Sequence, residues 1–85
     1  MIVEVEVDRI RLGEFCLRDL EEAVVEDLAK SIEAVGLLQP VVVRSLGDGY
    51  ELVFGLHRLE ACKRLGWKTI PTLVKQVSEE EALLL

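Results

Sequence analysis

The feature that most constrains this chain is a change of period at Gly55. Ahead of it, Val41 to Arg44 and Tyr50 to Phe54 are β-rich runs separated by Gly47, Asp48 and Gly49, the pattern of a hairpin with an Asp-Gly turn. Behind it the apolar residues Leu59, Ala61, Cys62 and Leu65 recur at helical spacing from Leu56 onward, and Gly66 closes the segment. A strand thus passes into a helix through a single glycine. Such a junction aims several unpaired backbone N–H groups at one spot.

The remaining segments fall around this junction. Ile2 to Val7 alternates apolar and acidic residues, as expected of a strand with one buried face. Between Glu21 and Val35 the positions Val24, Val25, Leu28, Ala29, Ile32 and Val35 make one apolar stripe, and Gly36 follows as a cap, so an amphipathic helix of about four turns is expected. Pro40 starts the first hairpin strand in an extended conformation. Thr69 to Val77 reads as a strand, and Pro71 within it predicts an edge position. Ser78 and Glu81 form a capping box ahead of Ala82 and three leucines, which predicts a last helix that has scarcely begun at Leu85.

Two helices around a hairpin, with outer strands, give an α+β fold: a mixed sheet in a strand-hairpin-strand arrangement packed against two to three helices. Eighty-five residues suffice for a single domain, 1–85, with a small core. The leucines at positions 83–85 need apolar cover, so the chain is expected either to self-associate or to be the amino-terminal part of a longer protein.

Composition narrows the partners. No apolar run approaches the roughly 20 residues that span a bilayer, and no signal peptide is recognisable, so a cytoplasmic, membrane-free protein is expected. Cys16 and Cys62 are unpaired by spacing and accompany a single histidine, which indicates neither a metal site nor a disulfide framework. The net charge is −6, but it is unevenly placed: residues 1–36 carry −6, whereas residues 55–75 carry +4. An anion is therefore expected at the junction, where Gly55 permits close approach and the amides of Leu56, His57 and Arg58 can donate. The Arg58 guanidinium can grip phosphate bidentately, with His57 as a further donor.

The layout resembles the amino-terminal domain family of ParB proteins and its relatives, the sulfiredoxins and the ADP- or ATP-dependent free serine kinases. The resemblance runs through Leu28-Ala29-Lys30-Ser31-Ile32, Gly36-Leu37-Leu38-Gln39-Pro40, Val41-Val42-Val43-Arg44 and Tyr50-Glu51-Leu52-Val53-Phe54-Gly55. It continues through Leu56-His57-Arg58, Ala61-Cys62-Lys63-Arg64-Leu65-Gly66-Trp67 and Ile70-Pro71. It implies that Gly55, His57 and Arg58, and with them Leu56, bind the phosphates of a nucleotide, CTP or ATP/ADP, with Mg2+. Gln39 and Arg44 stand near the mouth of the junction and are candidates for the pocket rim, although Gln39, in the turn before Pro40, is equally placed to bond local backbone. The resemblance also implies a role in DNA partition, with DNA contacted through regions other than this chain.

Departures from the family pattern separate the relatives. Sulfiredoxins place their catalytic cysteine where this chain has Leu56, and Cys62 faces the core by periodicity, so sulfinic acid reduction is not expected. The serine kinases share the His-Arg pair and use a first-helix glutamate as base; Glu21, Glu22 or Glu26 would stand in that region, with Glu22 and Glu26 the candidates. Three functions follow as expectations: a nucleotide-binding switch with at most slow hydrolysis, a small-molecule phosphotransferase, or an interaction domain whose pocket is vestigial.

Overall fold

The computed structural model describes residues 2–13, 20–37 and 39–76. Cys16, Arg18, Val77 and the helix expected from Ser78 lie outside the described residues. In chain order the elements are β1 (Ile2–Glu6), a 3-10 turn (Val7–Arg9), β2 (Ile10–Arg11), α1 (Glu22–Val35), β3 (Val41–Leu46), β4 (Gly49–Phe54), α2 (Leu56–Arg64) and β5 (Thr69–Lys75). The five strands form one mixed sheet in the order β1-β5-β3-β4-β2.

β3 and β4 form the expected hairpin, but its turn is shifted by one residue. Leu46 pairs with Gly49, which leaves Gly47 and Asp48 as the two central residues instead of Asp48 and Gly49. Gly47 takes φ +59 and no described non-glycine residue has positive φ, the sign pattern of a glycine-first hairpin turn. Gly49 is needed for another reason: a Cβ there would sit 2.9 Å from the carbonyl oxygen of Arg9. Arg9 ends the 3-10 turn and leads into β2, a two-residue strand parallel to β4, with Ile10 opposite Tyr50. Two residues show no period, which is why β2 leaves no mark in the sequence pattern.

β5 is not an edge strand. It pairs antiparallel with β1 and parallel with β3, so it lies inside the sheet. Pro71 is accommodated because the β3 ladder starts only at Thr72; Pro71 stands opposite Glu4 of β1 and has no partner in β3. Thr72 is fully buried beside Val41, and its hydroxyl donates to the Ile70 carbonyl at 2.9 Å, which satisfies the polar group.

The core joins one sheet face to both helices. Val5, Val41, Val43, Leu52 and Ile70 from the strands meet Val25 and Ile32 of α1 and Leu59, Ala61 and Cys62 of α2. Along α1 the stripe is narrower than expected, because Val24 is 36% exposed and Val35 is 63% exposed at the margins. α2 ends in a Schellman arrangement in which Gly66, at φ +83, donates to Lys63 O and Trp67 donates to Cys62 O, both at 3.0 Å. This fixes the direction in which the chain leaves for β5.

Cys62 is fully buried, and burial pushes its thiol up to about 11 from an ordinary 9.0. At pH 8 this leaves about a hundredfold less thiolate than an exposed cysteine has. In a Cys16→Ser background, iodoacetamide should therefore label Cys62 only once denaturant is added; rapid labelling of the folded chain would contradict this packing. The linkage has a definite sign. The unfolded chain loses the thiol proton first, so stability falls as pH rises from about 9 towards 11.

Candidate functional site

The end of β4 is directed into α2 by two local devices. The first is a bulge: Val42 pairs with Phe54 but Val43 pairs with Leu52, which leaves Val53 as an extra residue on β4 just before the junction. The second is Gly55, with φ +102 and ψ +30, a left-handed conformation that favours glycine. A Cβ at Gly55 would also lie 2.9 Å from Val41 Cγ1 and 3.3 Å from Val41 Cα. The backbone at Gly55 thus lies close against Val41 of the neighbouring strand β3, and α2 begins with no intervening loop.

The first bond of α2 runs from the Leu59 amide to the Gly55 carbonyl at 2.8 Å. The amides of Leu56, His57 and Arg58 precede it and have no acceptor within the helix. Their residues line a cleft of about 250 Å³ together with Val24, Leu28 and Gly55. A second cleft of about 240 Å³, bordered by Ser31, Ile32, Leu37 and Gln39, shares Leu28 and Arg58 with the first. Arg58 therefore stands between the two, and its Nη2 donates to Gln39 Oε1 at 2.6 Å. Gln39 lines the second cleft.

The start of α1 closes the other side. The backbone amide of Glu21, the residue that caps α1, donates to His57 Nε2 at 3.0 Å. Two helix N-termini, each carrying partial positive charge, are thereby brought together beside the first cleft. Farther along α2, Arg64 forms a fork with Glu22, Nη1 to Oε2 at 2.7 Å and Nη2 to Oε1 at 2.8 Å, and its Nε reaches Glu60 at 3.4 Å. The hydrogen bond from Arg64 holds the Glu22 carboxyl below its ordinary range, and the same contact raises the guanidinium.

Three of the expected site residues lie elsewhere. Glu22 is engaged by Arg64, which lowers its basicity and occupies both its oxygens. Glu26 lines a different cleft with Ala29, Lys30, Glu33 and Leu65. Arg44 is nearly buried and pairs with Glu51 directly across the hairpin, Nε to Oε1 at 3.0 Å, so it belongs to the sheet and lines neither of the two clefts at the junction. Its place near Pro40 in sequence suggested the rim, but strand direction carries it away. Conversely, the Glu21 amide gives no sign in the sequence, since a backbone group shows no side-chain signal. Among the described residues, no cluster of three or more histidine, cysteine or carboxylate side chains is arranged to hold a metal ion.

The chain matches the model of the ParB N-terminal domain family over residues 1–85. It is 47% identical over 62 residues to a probable plasmid-partitioning protein ParB of Xylella fastidiosa, covering 73% of this chain and 16% of that protein. The chain thus spans a small part of the curated relative that it matches. Among solved structures it is similar to the C-terminally truncated chromosome-partitioning protein ParB of Caulobacter crescentus complexed with CTP-gamma-S. That similarity has TM-score 0.87 and 31% identity, over 99% of this chain and 49% of that one. It is also similar to sulfiredoxin from Arabidopsis thaliana, with TM-score 0.84 and 32% identity, over 100% of this chain and 99% of that one. No described helix is long and apolar enough to cross a membrane.

Proposed function

Because the chain belongs to the ParB N-terminal domain family, we propose that it is a nucleotide-binding module that holds a triphosphate at Gly55, Leu56, His57 and Arg58. The observation that carries this reading is that the first turn of α2, with Arg58, lines one cleft beside a second helix N-terminus. The CTP-gamma-S complex of the Caulobacter relative supports CTP as the ligand. Mg2+ would enter with the phosphates, because the described residues offer no preformed ligand cluster.

Binding suits this geometry better than phosphotransfer. A kinase needs a free carboxylate near the phosphates, and of the two candidate bases Glu22 is tied to Arg64 and Glu26 lines another cleft. Sulfiredoxin chemistry is not part of the reading either. Leu56 stands at the required nucleophile position, and Cys62 is buried. The role would be that of a nucleotide-controlled switch in DNA partition, acting in the cytoplasm, with self-association as its readout and DNA contacted by other parts of the assembly.

Calorimetric titration with CTP, ATP and ADP, each with and without Mg2+, tests the proposal. The expected result is Mg2+-dependent CTP binding. Preference for an adenine nucleotide with phosphate transfer to serine would favour the phosphotransferase, and absence of any nucleotide binding would indicate a vestigial pocket.

A further inference from the structure

His57 Nε2 is the acceptor of the Glu21 amide hydrogen bond. An imidazole nitrogen that accepts a hydrogen bond carries no proton, so Nε2 is not a donor in this arrangement. One nitrogen cannot accept from a backbone amide and donate to a phosphate oxygen at the same time. Arg58, by contrast, has a single described side-chain hydrogen bond, from Nη2 to Gln39, and its remaining N–H groups are available to an anion.

The position of the contact matters as much as its chemistry. Glu21 caps α1, and Val24 and Leu28 on the next turns of α1 line the same cleft as Gly55, Leu56 and Arg58. A bond that fixes the Glu21 amide against the first turn of α2 therefore sets the width of the cleft. The fork between Arg64 and Glu22 holds the adjacent residue from the far end of α2, so the start of α1 is gripped at two successive positions.

We propose that His57 is a positioning residue of the phosphate site: through Nε2 it seats the start of α1 against the start of α2, while the α2 amides and Arg58 hold the anion. This rests on the nucleotide reading and reassigns one residue within it. His57 contributes geometry, and the charge comes from Arg58.

The test compares His57→Gln, whose side-chain oxygen can still accept from an amide, with His57→Ala, which cannot. Amide hydrogen exchange at Glu21 is followed in the free protein, and CTP affinity is measured with Mg2+. Loss of the acceptor should speed exchange at Glu21 and weaken CTP, each on the order of tenfold in His57→Ala, with His57→Gln within about threefold of the parent in both. Unchanged Glu21 exchange in His57→Ala overturns the inference, as does a His57→Gln variant that loses CTP as fully as Arg58→Ala. A parent protein that binds no nucleotide fails the reading of function instead, and the exchange measurement still decides whether His57 anchors α1.

Discussion

Arg58→Ala is expected to weaken CTP binding by about a hundredfold or more while leaving the fold intact. A guanidinium gripping phosphate makes two charge-assisted bonds, each contributing roughly 1.5–3 kcal/mol, and every 1.4 kcal/mol is about a tenfold change in affinity. The fold should tolerate the loss because the only described hydrogen bond of the Arg58 side chain is to Gln39, at an exposed site. Thermal midpoints of parent and variant should therefore agree within about 4 °C, the scale of surface substitutions. Arg58→Lys separates charge from shape: it keeps the cation but loses the planar fork, so an intermediate affinity is expected. If Arg58→Ala binds CTP as tightly as the parent, the phosphate site lies elsewhere.

The largest effect on stability is expected from Gly55→Ala. Two penalties coincide there. A non-glycine residue at φ +102 costs roughly 1–3 kcal/mol in backbone strain. The new Cβ would also lie 2.9 Å from Val41 Cγ1 and 3.3 Å from Val41 Cα, and overpacking of this kind costs roughly 1–3 kcal/mol more. The clash with the Val41 backbone is the harder one to relieve, since Val41 is fully buried and held in the central ladder with β5. A domain of this size holds roughly 5–15 kcal/mol and loses about 4–8 °C per kcal/mol, so a fall in the midpoint of at least about 10 °C is expected. Gly66→Ala is the control: its φ is +83, but nothing lies within 4 Å of its would-be Cβ, so it bears the strain alone. Equal losses in the two variants would show that the approach to Val41 does not matter, and a Gly55→Ala protein as stable as the parent would refute the geometry of the junction.

The two expectations share one physical origin. The proposed anion site depends on α2 starting without a loop, and α2 starts without a loop because Gly55 lets the backbone turn close against Val41. Phosphate affinity and the glycine requirement are therefore coupled, although Arg58 and Gly55 report on them separately. A Gly55 variant that retained its fold by moving β4 would displace the free amides and lose affinity as well.

Local pattern carried much of this protein. The switch of period at Gly55, the apolar stripe of α1 and the alternation of β1 follow from side-chain spacing, so they were legible residue by residue. The grouping of Gly55, Leu56, His57 and Arg58 around one cleft was legible for the same reason, since four successive residues at a helix start remain together in any fold. Tertiary structure decided whatever depended on neighbours distant in sequence. Pro71 predicted an edge strand, yet β5 lies between β1 and β3 because the β3 ladder begins one residue beyond the proline. Arg44 stood near the rim in sequence, but pairing across the hairpin gave it to Glu51. Glu22 had the residue type of a base, and only the packing of α2 against α1 showed that Arg64 occupies it. The Glu21 amide was invisible for the simplest reason: every residue but proline has such a group, and only the partner it meets, here His57, distinguishes it.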